Sequence, residues 1–208
     1  PISLKEYADL LKLRFPTIAV DAAATQQRAA LADEILGDLL TVRVKTLWWW
    51  TLGMTWTLVN LRGMMQIMYD MVDAPDELHQ VMAFLRDGHL AKLDWLEQEG
   101  LLSLNNDGTY VGSGGFGWTD DLPQPDFIGR VRTCDLWGFG ESQETVGVSP
   151  KMFAEFVLPY QLPILSRFGL NCYGCCEPLD QRWEYVKQIP RLRRVSVSPW
   201  SNRALMAE

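Results

Sequence analysis

Histidine is nearly absent from this chain: two in 208 residues, His79 and His89. Both fall in a stretch, residues 76–99, that reads as one helix away from every expected strand exit. A Ser-His or Cys-His nucleophile system is therefore not expected within it. Long apolar runs are missing as well. The richest, Leu47 to Leu61, is broken by Gly53 and three threonines, and nothing approaches the roughly 20 residues that a membrane span needs. No signal peptide is expected in the opening residues. Positive charge is in deficit, with 19 Lys and Arg against 26 Asp and Glu and a net charge of −7. Nucleic acid and anionic membrane surfaces are disfavoured as partners on that ground. Gly112-x-Gly114-Gly115 lacks a following Lys-Ser/Thr, so it does not read as a phosphate cradle. Of only four cysteines, three lie together at 172, 175 and 176 and Cys134 stands alone. That is not a disulfide framework, and adjacent Cys175 and Cys176 can hardly pair without strain. Clustered thiols fit a reducing compartment, and a cytoplasmic protein is expected.

Hydrophobic residues make up 48% and charged residues 22%, ordinary usage for a chain that buries one sizeable core. The first residue is Pro1 rather than methionine, and the last, Ala207-Glu208, reads as helix; the expectation is a piece of a longer protein. Residues 1–43 form a helical lead-in, with helices over Ile2 to Leu13 and Ala22 to Leu40 separated by Phe15-Pro16. Val42 to Trp50 reads as a buried strand or strand-loop and Thr57 to Met71 as an apolar helix. Pro75 opens a helix whose apolar residues Leu78, Val81, Met82, Leu85, Leu93 and Leu96 share a face, ending at Gly100. Leu101 to Leu104 reads as a short strand running into a Gly- and Pro-rich excursion at 105–130. Strands are expected over 131–140, 168–173 and 193–200, with helices after Ser149-Pro150 and over 179–189. The alternation predicts an α/β fold with a parallel sheet wrapped by helices, whose chemistry sits at the carboxyl ends of the strands.

Two strand exits concentrate reactive side chains. One is Cys172-Tyr173-Gly174-Cys175-Cys176-Glu177. Thiolates are soft ligands suited to zinc, and a carboxylate stands beside them; Cys172 itself reads as a buried small hydrophobe. The other is Glu141-Ser142-Gln143-Glu144, where a carboxylate serves as metal ligand, as general acid or base, or merely favours the next helix dipole. Glu141, Cys175, Cys176 and Glu177 are the candidate catalytic residues, and Glu141, Cys175 and Cys176 the candidate metal ligands. Asn105, Trp137, Gln143, Tyr173, Ser198 and Trp200 are candidates for substrate contact. Of these, Trp137 and Trp200 could line a flat pocket for a large planar group.

The order of motifs resembles the uroporphyrinogen decarboxylase superfamily, from about residue 44 to the end. The likeness rests on Thr55-Trp56-Thr57-Leu58 to Gly63, on Asp73-Ala74-Pro75-Asp76-Glu77-Leu78-His79, and above all on the helix from Ser149-Pro150 to Pro159-Tyr160. The resemblance implies a (β/α)8 TIM barrel, here partial and lacking the first strands and the last. It also implies either a corrinoid-linked, zinc-dependent methyltransferase acting on a thiol or a porphyrinogen decarboxylase. The methyltransferases end the strand matching 169–174 in His-x-Cys-Gly; here Tyr173 replaces the histidine and Cys175 keeps the cysteine. A further family cysteine would lie beyond Glu208, so Glu141 or Cys176 would have to complete the zinc set. Implied with this are zinc, a corrinoid (cobalamin) methyl donor, and a small-molecule thiol or tetrapyrrole as substrate. A corrinoid protein or a second copy of the chain are implied partners. A third expectation is a non-catalytic module that binds a corrinoid or docks a partner.

Overall fold

The computed structural model describes residues 3–207; the expected helix start at Ile2 and helical end at Glu208 lie outside the described residues. Helices α1 (Ala22–Leu36), α2 (Thr55–Arg62), α3 (Met64–Asp73) and α4 (Pro75–Gln98) come first. A hairpin of β1 (Tyr110–Gly112) and β2 (Gly115–Phe116) follows. Then come β3 (Trp137–Gly140), α5 (Pro150–Phe156), α6 (Leu158–Leu165), β4 (Leu170–Tyr173), α7 (Trp183–Val186) and β5 (Leu192–Val195). Strands β3, β4 and β5 lie side by side and parallel in that order, Phe139 opposite Cys172 and Cys172 opposite Arg194. The chain is thus a mixed α/β fold with a small parallel sheet. No closed barrel forms among the described residues, and no helix there is long and apolar enough to cross a membrane.

Strands β3 and β4 are buried on both faces, by different parts of the chain, while β5 at the edge is only partly covered. One face carries Tyr173 and packs with Phe153, Phe156, Leu165 and Phe168 into the main core, which continues through the apolar stripe of α4. The other carries Trp137, Phe139, Leu170 and Cys172 beneath Val111 and Leu122 of the excursion. Gly112 lies so close above Cys172 that a Cβ there would meet Sγ at 2.6 Å. The Trp137 indole N–H donates to the Gly117 carbonyl at 3.0 Å. The glycines of the excursion therefore let backbone lie flat on a sheet face that would otherwise need further strands to cover it.

Several expected elements differ. Val42 to Trp50 and Leu101 to Leu104 join no ladder; side chains instead hold the two segments together. Thr46 Oγ1 and Trp48 Nε1 both donate to the Leu101 carbonyl (2.5 and 2.9 Å), and Thr46 N–H donates to Ser103 Oγ. The expected helix 57–71 is two helices, since Gly63 at φ +87° turns the chain between them as only glycine does without strain. That turn sets Arg62 against Asp70 (Nε to Oδ2 2.6 Å), both buried. The Arg62 guanidinium also holds the carbonyls of Leu4 and Lys5 and lies over the Tyr7 ring, docking the lead-in. The lead-in keeps only a short turn at Tyr7–Lys12 of its first helix, and α1 buries none of its residues. The helix opened by Ser149, whose hydroxyl accepts from Met152 N–H, breaks at Val157 because Pro159 brings no N–H to continue it. Residues 179–189 form one turn and the four-residue α7 before Pro190, and the strand expected over 193–200 stops at Val195.

Candidate functional site

All three parallel strands deliver their carboxyl ends to one rim. β3 leads into Glu141-Ser142-Gln143-Glu144, β4 into Gly174-Cys175-Cys176-Glu177, and β5 into Ser196 to Trp200. Gly174 takes φ +93° at the exit of β4, a turn that brings the two following cysteines back over the strand ends. Cys175 is half-buried and Cys176 exposed, with their Sγ atoms 3.7 Å apart. Burial raises the Cys175 thiol pKa, and the neighbouring Cys176 adds to the shift. Beside Cys176 lies an open groove of about 530 Å³ bounded by Gln143, Glu144, Val146, Pro178 and Trp200. Trp200 is 71% exposed there, so a large indole is left facing solvent at the edge of a depression.

The carboxylates behind the rim do different work. Glu177 has no exposed surface. One oxygen accepts from Ser142 N–H (2.8 Å) and Oγ (3.3 Å) and the other from Cys175 N–H (2.9 Å), so it ties the exits of β3 and β4 together. Glu141 is also fully buried, accepting from Gln143 N–H at 2.9 Å and Thr51 Oγ1 at 3.3 Å. Burial pushes its pKa up to about 8, and the charges of Glu144 and Glu177 push the same way. A carboxyl that keeps its proton at neutral pH is a hydrogen-bond donor and a proton source. Glu144, half-buried at the groove, accepts from Thr55 Oγ1 at 2.7 Å and from the Gln143 amide at 3.1 Å.

Sequence reasoning placed Glu141, Gln143, Cys175, Cys176, Glu177, Trp137 and Trp200 at strand exits; all lie at this rim except Trp137, which is the first residue of β3 and so sits at the opposite end. Only Cys176, Gln143 and Trp200 among them border the groove. The remaining positions are structural in their contacts. Asn105 pairs with β3 as another strand would: Oδ1 accepts from Trp137 N–H at 2.9 Å and Nδ2 donates to the Trp137 carbonyl at 3.0 Å. Trp137 is buried under the hairpin rather than at an opening. Tyr173 is fully buried, its hydroxyl donating to Gln161 Oε1 at 2.7 Å, and Ser198 is buried against Ser201. Trp137 and Tyr173 are strand residues whose side chains point into a core, which their places in the sequence do not reveal.

Two residues missed at the sequence level brace the rim. Gln161 on α6 donates to the carbonyls of Gly53 (2.6 Å) and Glu141 (2.8 Å) while accepting from Tyr173. Buried Arg182 donates to Ser142 Oγ at 2.9 Å and to the carbonyls of Thr145 and Val148, stacked over Phe153. A lone Gln in an apolar helix face was the available signal for the first; Arg182 had none.

The fit to zinc is partial. A tetrahedral ion with Zn–S bonds of about 2.3 Å holds two sulfurs roughly 3.8 Å apart, close to the spacing of Cys175 and Cys176. Further ligands are lacking: Glu141 is enclosed, and the described residues include no group of three or more His, Cys, Asp or Glu side chains able to hold a metal ion. Two thiols are half a coordination shell, so these residues do not by themselves fit a zinc centre. Comparison of the chain with protein-family models, curated proteins and solved structures finds no match.

Proposed function

We propose that this chain carries part of the active-site rim of an enzyme of the uroporphyrinogen decarboxylase type, built on a partial (β/α)8 barrel and transferring a methyl group from a corrinoid to a small thiol. The observation that carries the reading is the Cys175–Cys176 pair at the carboxyl end of β4, with Cys176 opening on the groove that Trp200 borders. A groove of this size suits a small-molecule acceptor, and the apolar side chains of Val146, Pro178 and Trp200 offer a surface for the edge of a flat macrocycle. No step is assigned to zinc. The experiment is methyl transfer from methylcobalamin to a panel of thiols, followed by the cobalamin spectrum and by mass of the thioether. Cys176→Ser is expected to lower the rate by at least about tenfold, the scale of one lost contact to a reacting group. Absence of transfer to every thiol, or a Cys176→Ser rate equal to that of the parent chain, overturns the reading.

A further inference from the structure

The buried stripe of α4 lapses between Leu85 and Leu93. At that gap the lead-in residues 14–18 arch over the helix and border a half-open cavity of about 460 Å³. It shares no residue with the groove at the strand exits. Its walls are chiefly apolar, with Phe15, Ile18, Phe84, Leu85 and Trp95 among them. The Phe15 ring sits 4.9 Å from that of Phe84 and rests on Gly88, where a Cβ would meet it at 3.1 Å. The bare helix surface at Gly88 is thus what seats the arch.

The polar side of the cavity is cationic. Arg14 and Lys92 line it and no Asp or Glu does. Lys92 Nζ donates to the Trp48 carbonyl at 2.5 Å, and Arg14 donates to the carbonyls of Leu11 and Leu13 at 2.6 Å. Among the described residues no carboxylate forms an ion pair with either. The chain has 26 acidic residues against 19 basic ones, so two cations left to neutral carbonyls beside one cavity stand apart from its general surface. Burial depresses the Lys92 ammonium, the mark of a cation short of a counter-charge. His89, which also lines the cavity, is held uncharged by burial and neither competes for an anion nor supplies one. An apolar chamber edged by uncompensated cations matches an amphiphilic anion: the body is desolvated against rings while the head forms charge-assisted hydrogen bonds.

We propose that this cavity is a binding site for a small aromatic or aliphatic carboxylate, its apolar body against Phe15, Phe84 and Trp95 and its carboxylate on Lys92 and Arg14. The site is independent of the chemistry at the strand exits. Calorimetric titration of the full chain with 4-phenylbutyrate, and with the neutral 4-phenylbutanol as its match, tests it. The acid is expected to bind at least about tenfold more tightly, since charge-assisted hydrogen bonds are roughly twice as strong as neutral ones. The double variant R14Q/K92Q is expected to lose that preference while its circular dichroism stays that of the parent chain. Arg14→Gln alone, whose partners are only its own turn, is expected to lose part of the preference and serves if the double variant fails to fold. Thr57→Trp, at an exposed position of α2 on the cavity wall, is expected to fill the space and abolish binding of both compounds. Equal affinity for acid and alcohol, a preference that survives the loss of Arg14 and Lys92, binding that persists in Thr57→Trp, or no binding at millimolar concentration each overturns the proposal.

Discussion

Glu141 keeps a proton because its carboxyl is enclosed behind Gln143 and Thr51, in the field of Glu144 and Glu177. Glutamine has the same shape, can accept from Gln143 N–H and can meet the Thr51 hydroxyl, so Glu141→Gln mimics the protonated form. Its folding stability is expected to be level between pH 6.5 and 8, where the parent chain loses roughly 2 kcal/mol, as one proton over about 1.5 pH units requires. Urea unfolding at the two pH values measures the difference. A second single-residue effect belongs to Gly112. An added methyl would meet Cys172 Sγ at 2.6 Å and Phe139 at 3.2 Å, so Gly112→Ala should cost about 1–3 kcal/mol by overpacking. Removing the sulfur with Cys172→Ala should recover part of that loss in a double-mutant cycle.

Single elements owe their placement to a few polar anchors. The Arg62–Asp70 pair is buried and joins α2, α3 and the lead-in; removing one partner strands the other charge, so Asp70→Ala is expected to cost about 3–5 kcal/mol by chemical denaturation. Asn105→Ala would leave both polar groups of the Trp137 backbone without their side-chain partners on that edge of β3, at about 1–3 kcal/mol each. These anchors also mark the limit of what could be read from the sequence. Helix α4 was legible from end to end, because its apolar spacing, Pro75 and Gly100 all agree. Strands β3, β4 and β5 and the hydroxyl cap at Ser149 were legible as well. The segments at 42–50 and 101–104 were not, since their composition is that of strands while the side-chain bonds of Thr46 and Trp48 hold them together without a ladder. At the rim, the cysteines and Trp200 could be placed by their position after strands. The bracing roles of Glu177, Tyr173 and Asn105 could not, because they depend on which way each side chain turns once the strands are paired.

At the scale of the whole molecule, two desolvated groups set opposite pH trends. Glu141 is raised from 4.5 to about 8, so it contributes stability that is complete below 4.5 and is lost as pH rises through 8. His89 is lowered from 6.5 to about 4, so its contribution is complete above 6.5 and is lost as pH falls through 4. Between 4.5 and 6.5 the two slopes offset each other, leaving a plateau, with a decline toward pH 8 governed by Glu141 alone. Unfolding midpoints measured from pH 4 to 8 should trace that shape, and Glu141→Gln should remove its alkaline limb. In this mixed α/β architecture the excursion lays a lid of backbone over the second sheet face, with Val111 and Leu122 packed on Trp137, Phe139 and Cys172.

The sheet's two flanks are guarded unequally. At β3 an amide from Asn105 occupies the hydrogen-bonding positions that a fourth strand would need. At β5 two guanidinium groups fasten the excursion to the sheet, Arg193 to Asp121 and Arg194 to the Phe116 carbonyl and over the Trp137 ring. Among the described residues, no side chain hydrogen-bonds the backbone of β5 as Asn105 does that of β3. An added strand would have to expel an amide at β3 but not at β5, so growth of this sheet has a preferred direction, outward from β5.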